Sequence, residues 1–283
     1  MSEALVIRLG KDSADVQYLL VDAGGGRLGA VIAGSPSQAA TLAAGRRVII
    51  VVPAVDVVMA EPELPAKNAA RLAQLAPFAL EEQLAAEIDK MHFAVGKRSE
   101  NGKTPVAAVL RELIERWLAE LAQAGIQPDA LFAETSLLPP TNGGVTLVLD
   151  GNLLYVRAAS MPSFVLDAHP LNEAVQLALA HDVADEAAAE QFVGDIQFYV
   201  AQTDYEAQHD TLEQLRQSVP GMQVKLLPEG ALPLLALQAA QTAPLNLLCG
   251  PYERKSPLSA SLEPWRYAAV LFGVAVTLQL IYG

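Results

Sequence analysis

An α/β fold of two similar halves is what the sequence predicts. Three observations predict it. Short apolar runs of strand length open the chain, apolar stripes at helical spacing separate later runs of the same kind, and the pattern begins again after the turn cluster Pro139 to Gly144.

In the first half, Leu5 to Leu9 and Val16 to Val21 read as a hairpin across polar Gly10 to Asp15, and Gly29 to Ala33 reads as a third strand after a glycine cluster. Val48 to Val52 is a continuous β-branched run closed by Pro53, the pattern of a strand covered on both faces and central in its sheet. Pro65 suits the first position of a helix over Ala66 to Ala76, and Pro77 kinks or restarts it with Leu80, Leu84 and Ile88 on one face. Val106 to Leu110 reads as a strand. Arg111 to Ala124 follows as a helix with Leu110, Leu113, Ile114, Trp117, Leu118 and Leu121 on its buried stripe and Gly125 as its stop. Leu131 to Glu134 returns as a short strand.

In the second half, Val145 to Leu149, Leu153 to Ala158 and Ser163 to Asp167 make another meander. A helix near Leu171 to Ala180, a strand at Ile196 to Val200, a helix near Glu206 to Ser218 and a strand at Gln223 to Leu227 complete it. Two βββαβα-like halves are the arrangement of the actin and ribonuclease H type of α/β fold, although periodicity alone leaves two unrelated α/β domains open. The expected division is residues 1–140, with a small subdomain inserted at about 55–97, then 141–250, a linker over 251–265 and an apolar segment over 266–283.

That last segment, from Tyr267 to Gly283, carries no charged residue. A helix needs about 20 mostly apolar residues to cross a bilayer, so it reads as the start of a transmembrane helix, with Trp265, Arg266 and Tyr267 as interfacial anchors. A buried core helix is the alternative reading, disfavoured by that interfacial set. Arg254, Lys255 and Arg266 lie on its N-terminal side, which predicts a single-pass protein with its N-terminal part in the cytoplasm. Pro251 to Pro264 has linker composition.

The net charge of −13 argues against nucleic acid as a partner. Between Ala158 and Leu215 there are eleven Asp or Glu residues and no Lys or Arg. Asp182, Asp185, Glu186 and Glu190 in that stretch are candidates for steering a basic partner, whereas a solvated acidic face is the plainer reading. One cysteine, Cys249, fits a reducing compartment and excludes a clustered cysteine zinc site.

Catalytic and cofactor motifs are weak. Gly24-Gly-Gly26-Arg-Leu-Gly29 matches G-x-G-x-x-G, but a β-like run follows where a dinucleotide site needs a helix, so a glycine-rich turn is expected. Phosphate loops of the actin kind would fall at Leu9-Gly10-Lys11-Asp12 and Asp150-Gly151-Asn152; neither is convincing, and the second makes a sound hairpin turn. There is no GxxxxGK[ST] or GxSxG; Gly34-Ser35-Pro36-Ser37 reads as a turn, His181 and His209 as surface histidines, and Glu81 and Glu82 as a solvated or partner-facing helix face. No catalytic residue, cofactor or metal is expected.

Leu64-Pro65-Ala66-Lys67, Ala76-Pro77-Phe78-Ala79-Leu80-Glu81-Glu82-Gln83-Leu84-Ala85, Met91-His92-Phe93-Ala94-Val95-Gly96 and Leu245-Asn246-Leu247-Leu248-Cys249-Gly250-Pro251-Tyr252 together resemble the L protein family of bacterial type II secretion. Cys249 and Pro251 depart from the expected membrane-proximal pattern. The resemblance implies an actin-like cytoplasmic scaffold without enzymatic activity. It also implies that the scaffold recruits the N-terminal domain of the secretion ATPase, the E protein, to the inner membrane and pairs with the M protein and a second L copy. The competing readings are an actin-like nucleotide-binding enzyme, disfavoured by the loops at Gly10 and Gly151, and an M-like scaffold of type IV pilus assembly, which would lack a C-terminal membrane helix.

Overall fold

The computed structural model describes residues 3–10, 15–99, 101–140, 143–159, 161–180, 195–242 and 244–254. Met1–Leu247 forms one compact unit and Leu248–Gly283 a second, of which only Leu248 to Arg254 are described. The apolar segment with Trp265, Arg266 and Tyr267 lies outside the described residues, as do Asp182, Asp185, Glu186 and Glu190. Among the described residues no helix is long and apolar enough to cross a membrane.

The first unit opens with β1 (Ala4–Leu9), β2 (Val16–Val21) and β3 (Ile32–Gly34), followed by the short helix α1 (Pro36–Ala40) and β4 (Arg47–Val52). Then come β5 (Val57–Ala60), α2 (Ala69–Leu80), β6 (Met91–Val95), β7 (Val106–Leu110), α3 (Arg111–Gln123) and β8 (Ala130–Ala133). The chain continues as β9 (Val145–Asp150), β10 (Leu153–Ala158), β11 (Phe164–Asp167), α4 (Leu171–Ala180), β12 (Ile196–Ala201), α5 (Gln202–Ala207), α6 (His209–Ser218), β13 (Met222–Leu227) and α7 (Leu232–Gln241).

These strands form two five-stranded mixed sheets, ordered β3-β2-β1-β4-β8 and β11-β10-β9-β12-β13. In each, a three-strand antiparallel meander is extended by two parallel strands, so the two orders are the same when counted from the meander. The class is the α/β class that the sequence predicts. A third, antiparallel sheet, β5-β7-β6, lies between β4 and β8 in the chain, and α2 closes it with Leu72, Ala76 and Leu80 in a core shared with Ala60, Leu64 and Val106.

One hydrophobic core joins the two large sheets. It gathers Val6, Leu19, Val21, Ile49 and Val51 from the first, Val148 and Tyr155 from the second, and Leu232, Leu235, Ala236 and Ala239 from α7. A second core packs Leu147, Leu149, Val156, Phe198 and Val200 against α4 and α6. Burial of this kind contributes about 25 cal/mol per Å² of apolar surface.

Several elements differ from expectation for identifiable reasons. Helix α2 begins after Asn68, whose side chain accepts from the Ala70 N–H, and not at Pro65, because a side-chain cap satisfies a free amide that proline cannot. It runs through Pro77 and ends at Leu80; Leu84 and Ile88 lie beyond it, so they do not extend its stripe. Strand β4 is second from an edge, and β1 holds the centre. Ser35 is no loop residue: it caps α1 reciprocally with Gln38. Helix α3 matches its predicted stripe, with Ile114, Trp117 and Leu121 buried, and Gly125 at φ +80° lets Ile126 donate to Leu121 O and close the helix end.

Candidate functional site

A cleft of about 950 Å³ opens where the first hairpins of the two large sheets face each other. Ala4, Val6 and Arg8 share one face of β1, so the face that enters the shared core through Ala4 and Val6 reaches the cleft at Arg8. Arg8 Nε donates to Glu134 Oε1 at 2.6 Å, Nη1 to Asp150 Oδ2 at 2.5 Å and Nη2 to the Tyr155 hydroxyl at 3.1 Å. Glu134 follows β8 of the first sheet, whereas Asp150 and Tyr155 belong to the second, so one guanidinium ties both sheets. The other Glu134 oxygen, Oε2, accepts from the Ala54 N–H at 2.8 Å. Glu134 is 3% exposed, which makes these partners obligatory.

Electrostatics follow from the geometry. Burial opposes charge on Arg8, but the carboxylates of Glu134 and Asp150 more than offset it, and its pKa lies above the ordinary arginine value. Burial, then the charge of Glu134, raises the Tyr155 phenol above its usual range, so it serves as a neutral hydrogen-bonding group.

Of the two loops that a nucleotide of the actin kind would use, Lys11 and Asp12 of the first lie outside the described residues, and the second is committed elsewhere. Gly151 takes φ +65° in a two-residue turn between β9 and β10, and its N–H donates to Asp204 Oδ2 at 2.6 Å. Burial, aided by nearby Asp150, raises the Asp204 pKa against that hydrogen bond. At the other glycine cluster, Asp22 Oδ1 accepts from the N–H groups of Gly24 and Gly26, both at 2.8 Å, and a strand follows, so this is a turn and not a dinucleotide loop. In the described part of the cleft Glu134 and Asp150 are thus both paired with Arg8, and the Gly151 amide is paired with Asp204. His209 is exposed beside Asp210. Glu81 and Glu82 sit exposed in a 3-10 turn after α2.

A second constellation gathers residues of the sequence motifs. Asn246 Oδ1 accepts from Leu131 N–H at 2.9 Å, and Leu247 N–H donates to Leu131 O at 2.9 Å, which covers the outer edge of β8. His92 of β6, 3% exposed, places Nε2 2.9 Å from Leu247 O. The asparagine-leucine passage thus binds the large sheet to the small one. Arg8, Glu134 and Tyr155 were not legible as a site, because their partners lie 126 to 147 residues away in sequence.

Two predictions follow from these contacts. Arg8→Met leaves Glu134 buried without its cation and lowers the urea-unfolding free energy by about 3–5 kcal/mol, whereas Arg27→Met, which breaks the exposed Arg27–Glu229 pair, leaves the urea midpoint nearly unchanged. The second concerns pH. Burial, with nearby Arg111 adding to it, lowers the His92 pKa despite the Leu247 hydrogen bond, so the unfolded chain binds the proton more tightly. That stability is fully present above about pH 6.5 and is lost as pH falls through the lowered folded value. The drop in urea midpoint from pH 7 to pH 5 should be smaller in His92→Gln than in the native chain; equal drops would contradict it.

Comparison with known proteins agrees with this architecture. The family model described as type II secretion system (T2SS), protein L matches residues 5–255. Type II secretion system protein L of Pectobacterium carotovorum subsp. carotovorum is 26% identical over 223 residues, 79% of this chain and 48% of that protein. The Dickeya chrysanthemi protein of the same description is 25% identical over 236 residues, 83% of this chain and 51% of that protein. The chain thus spans about half the length of these curated relatives. The solved cytoplasmic domain of EpsL, an inner membrane component of the type II secretion system of Vibrio cholerae, superposes with a TM-score of 0.66 at 20% identity, covering 89% of this chain and all of that one, and so shares the fold. With the family model spanning nearly all of its residues, the chain belongs to the type II secretion system protein L family.

Proposed function

We propose that this chain is the cytoplasmic part and the start of the membrane anchor of an inner-membrane scaffold. In this reading the head recruits the N-terminal domain of the secretion ATPase, and the segment after Arg266 carries that attachment to the assembly platform, where the M protein and a second copy are the further partners. The observation that carries the reading is Arg8: the cleft where an actin-like enzyme would hold its nucleotide is bridged by a buried guanidinium bound to both sheets. A cleft whose described carboxylates and glycine amide are already paired suits a fixed binding surface better than a catalytic cycle. Asp182, Asp185, Glu186 and Glu190 remain a proposed contact on charge alone.

The test is calorimetric titration of the 283-residue chain in detergent with the N-terminal domain of the secretion ATPase and, in parallel, with magnesium ATP. Binding heat from the domain and none from nucleotide is expected. Nucleotide binding with turnover, and no heat from the domain, would replace the scaffold with the enzyme.

A further inference from the structure

A groove of about 1070 Å³ lies between the N-terminal end of α2, the loop after β6 and the segment Pro244 to Asn246. Its charged lining residues are Lys67, Lys97 and Arg98, and no Asp or Glu occurs among the lining residues described. In a chain of net charge −13 that is a local reversal of sign. Among the described residues neither Lys67 nor Lys97 pairs with a carboxylate, although both are exposed, and Arg98 Nε donates only to Gly102 O, at 2.9 Å. Three cations in one concavity with no carboxylate partner among the described residues repel each other, and an anion would relieve that repulsion.

The walls narrow the choice of anion. Leu72, Val95, Pro105 and Leu245 supply apolar surface beside the cations. A free inorganic anion would use none of it. A flat anionic membrane would reach the rim but not the walls, and would be opposed by the negative charge of the remaining head. A peptide with carboxylates set between aliphatic side chains uses both, placing its charges on the rim and its apolar groups on the walls. We propose that this groove is a docking site for an acidic, aliphatic peptide segment of a partner protein, with Lys67 and Lys97 as its charge-reading residues. The proposal stands apart from the recruitment reading, since the occupant is defined by the groove's own chemistry.

The probe is a fluorescein-labelled synthetic dodecapeptide alternating glutamate with leucine, titrated by anisotropy against the 283-residue chain in detergent. A matched peptide with glutamine in place of glutamate is titrated alongside it. Saturable binding of the glutamate peptide is expected, weakening with salt and falling about tenfold or more in Lys67→Glu/Lys97→Glu. Both lysines are exposed, so the double variant should keep the native urea midpoint, and Lys67→Gln/Lys97→Gln provides a second variant if charge reversal disturbs folding. Equal binding of the glutamine peptide, or unchanged affinity in both variants, overturns the proposal. So does binding of a short-chain anionic phospholipid to the chain in detergent that is lost in the double variant while the peptide fails to bind, because that result makes the groove a lipid site.

Discussion

Two five-stranded sheets face each other in this protein, and one buried cation decides what their cleft can be. Arg8 reaches Glu134 on its own sheet and Asp150 and Tyr155 on the other. Taking three ionised groups out of water is costly, and the cost is met only while every partner is present. The cluster is therefore all-or-none. Its members line the cleft, so the interaction that joins the sheets also sets the chemistry of the cleft floor.

The motif residues that distinguish this chain divide between core and surface along the same logic. Leu64, Ala76, Leu80, Met91, His92 and Ala94 are buried and build the small sheet and its helix, and Leu247 is buried against β8. Phe78, by contrast, is 67% exposed, and Lys67, Glu81 and Glu82 are exposed with it. The passage from Leu245 to Leu247 connects these regions, because it lines the groove, covers the β8 edge and meets His92.

How much of this was legible in the sequence depended on whether the signal was local. The continuous run Val48 to Val52, the second meander and the Trp117 stripe were readable because strand and helix periods are short-range properties. Helix α7 was missed because Leu232–Gln241 is apolar almost throughout and buried in the shared core, so it shows little amphipathic contrast. Strands β5 and β6 were missed because four- and five-residue strands give too few alternations, and Met91 to Val95 was read as a motif and not as an edge strand. The Arg8 cluster was invisible in principle: an arginine in an otherwise apolar strand announces a buried partner but not which carboxylate, more than a hundred residues away, supplies it. Asn246 and Leu247 were noticed by resemblance, while their role in closing the β8 edge required the fold.

Arg8 commits the floor of the cleft to joining the two sheets, and hydrogen–deuterium exchange with and without magnesium ATP tests that most directly. That commitment predicts strong and identical protection of β1, β9 and β10 in both conditions. Nucleotide-dependent protection confined to Leu9, Gly10 and the Asp150 to Asn152 turn would contradict it, because those amides would then be answering to a ligand and not to the guanidinium.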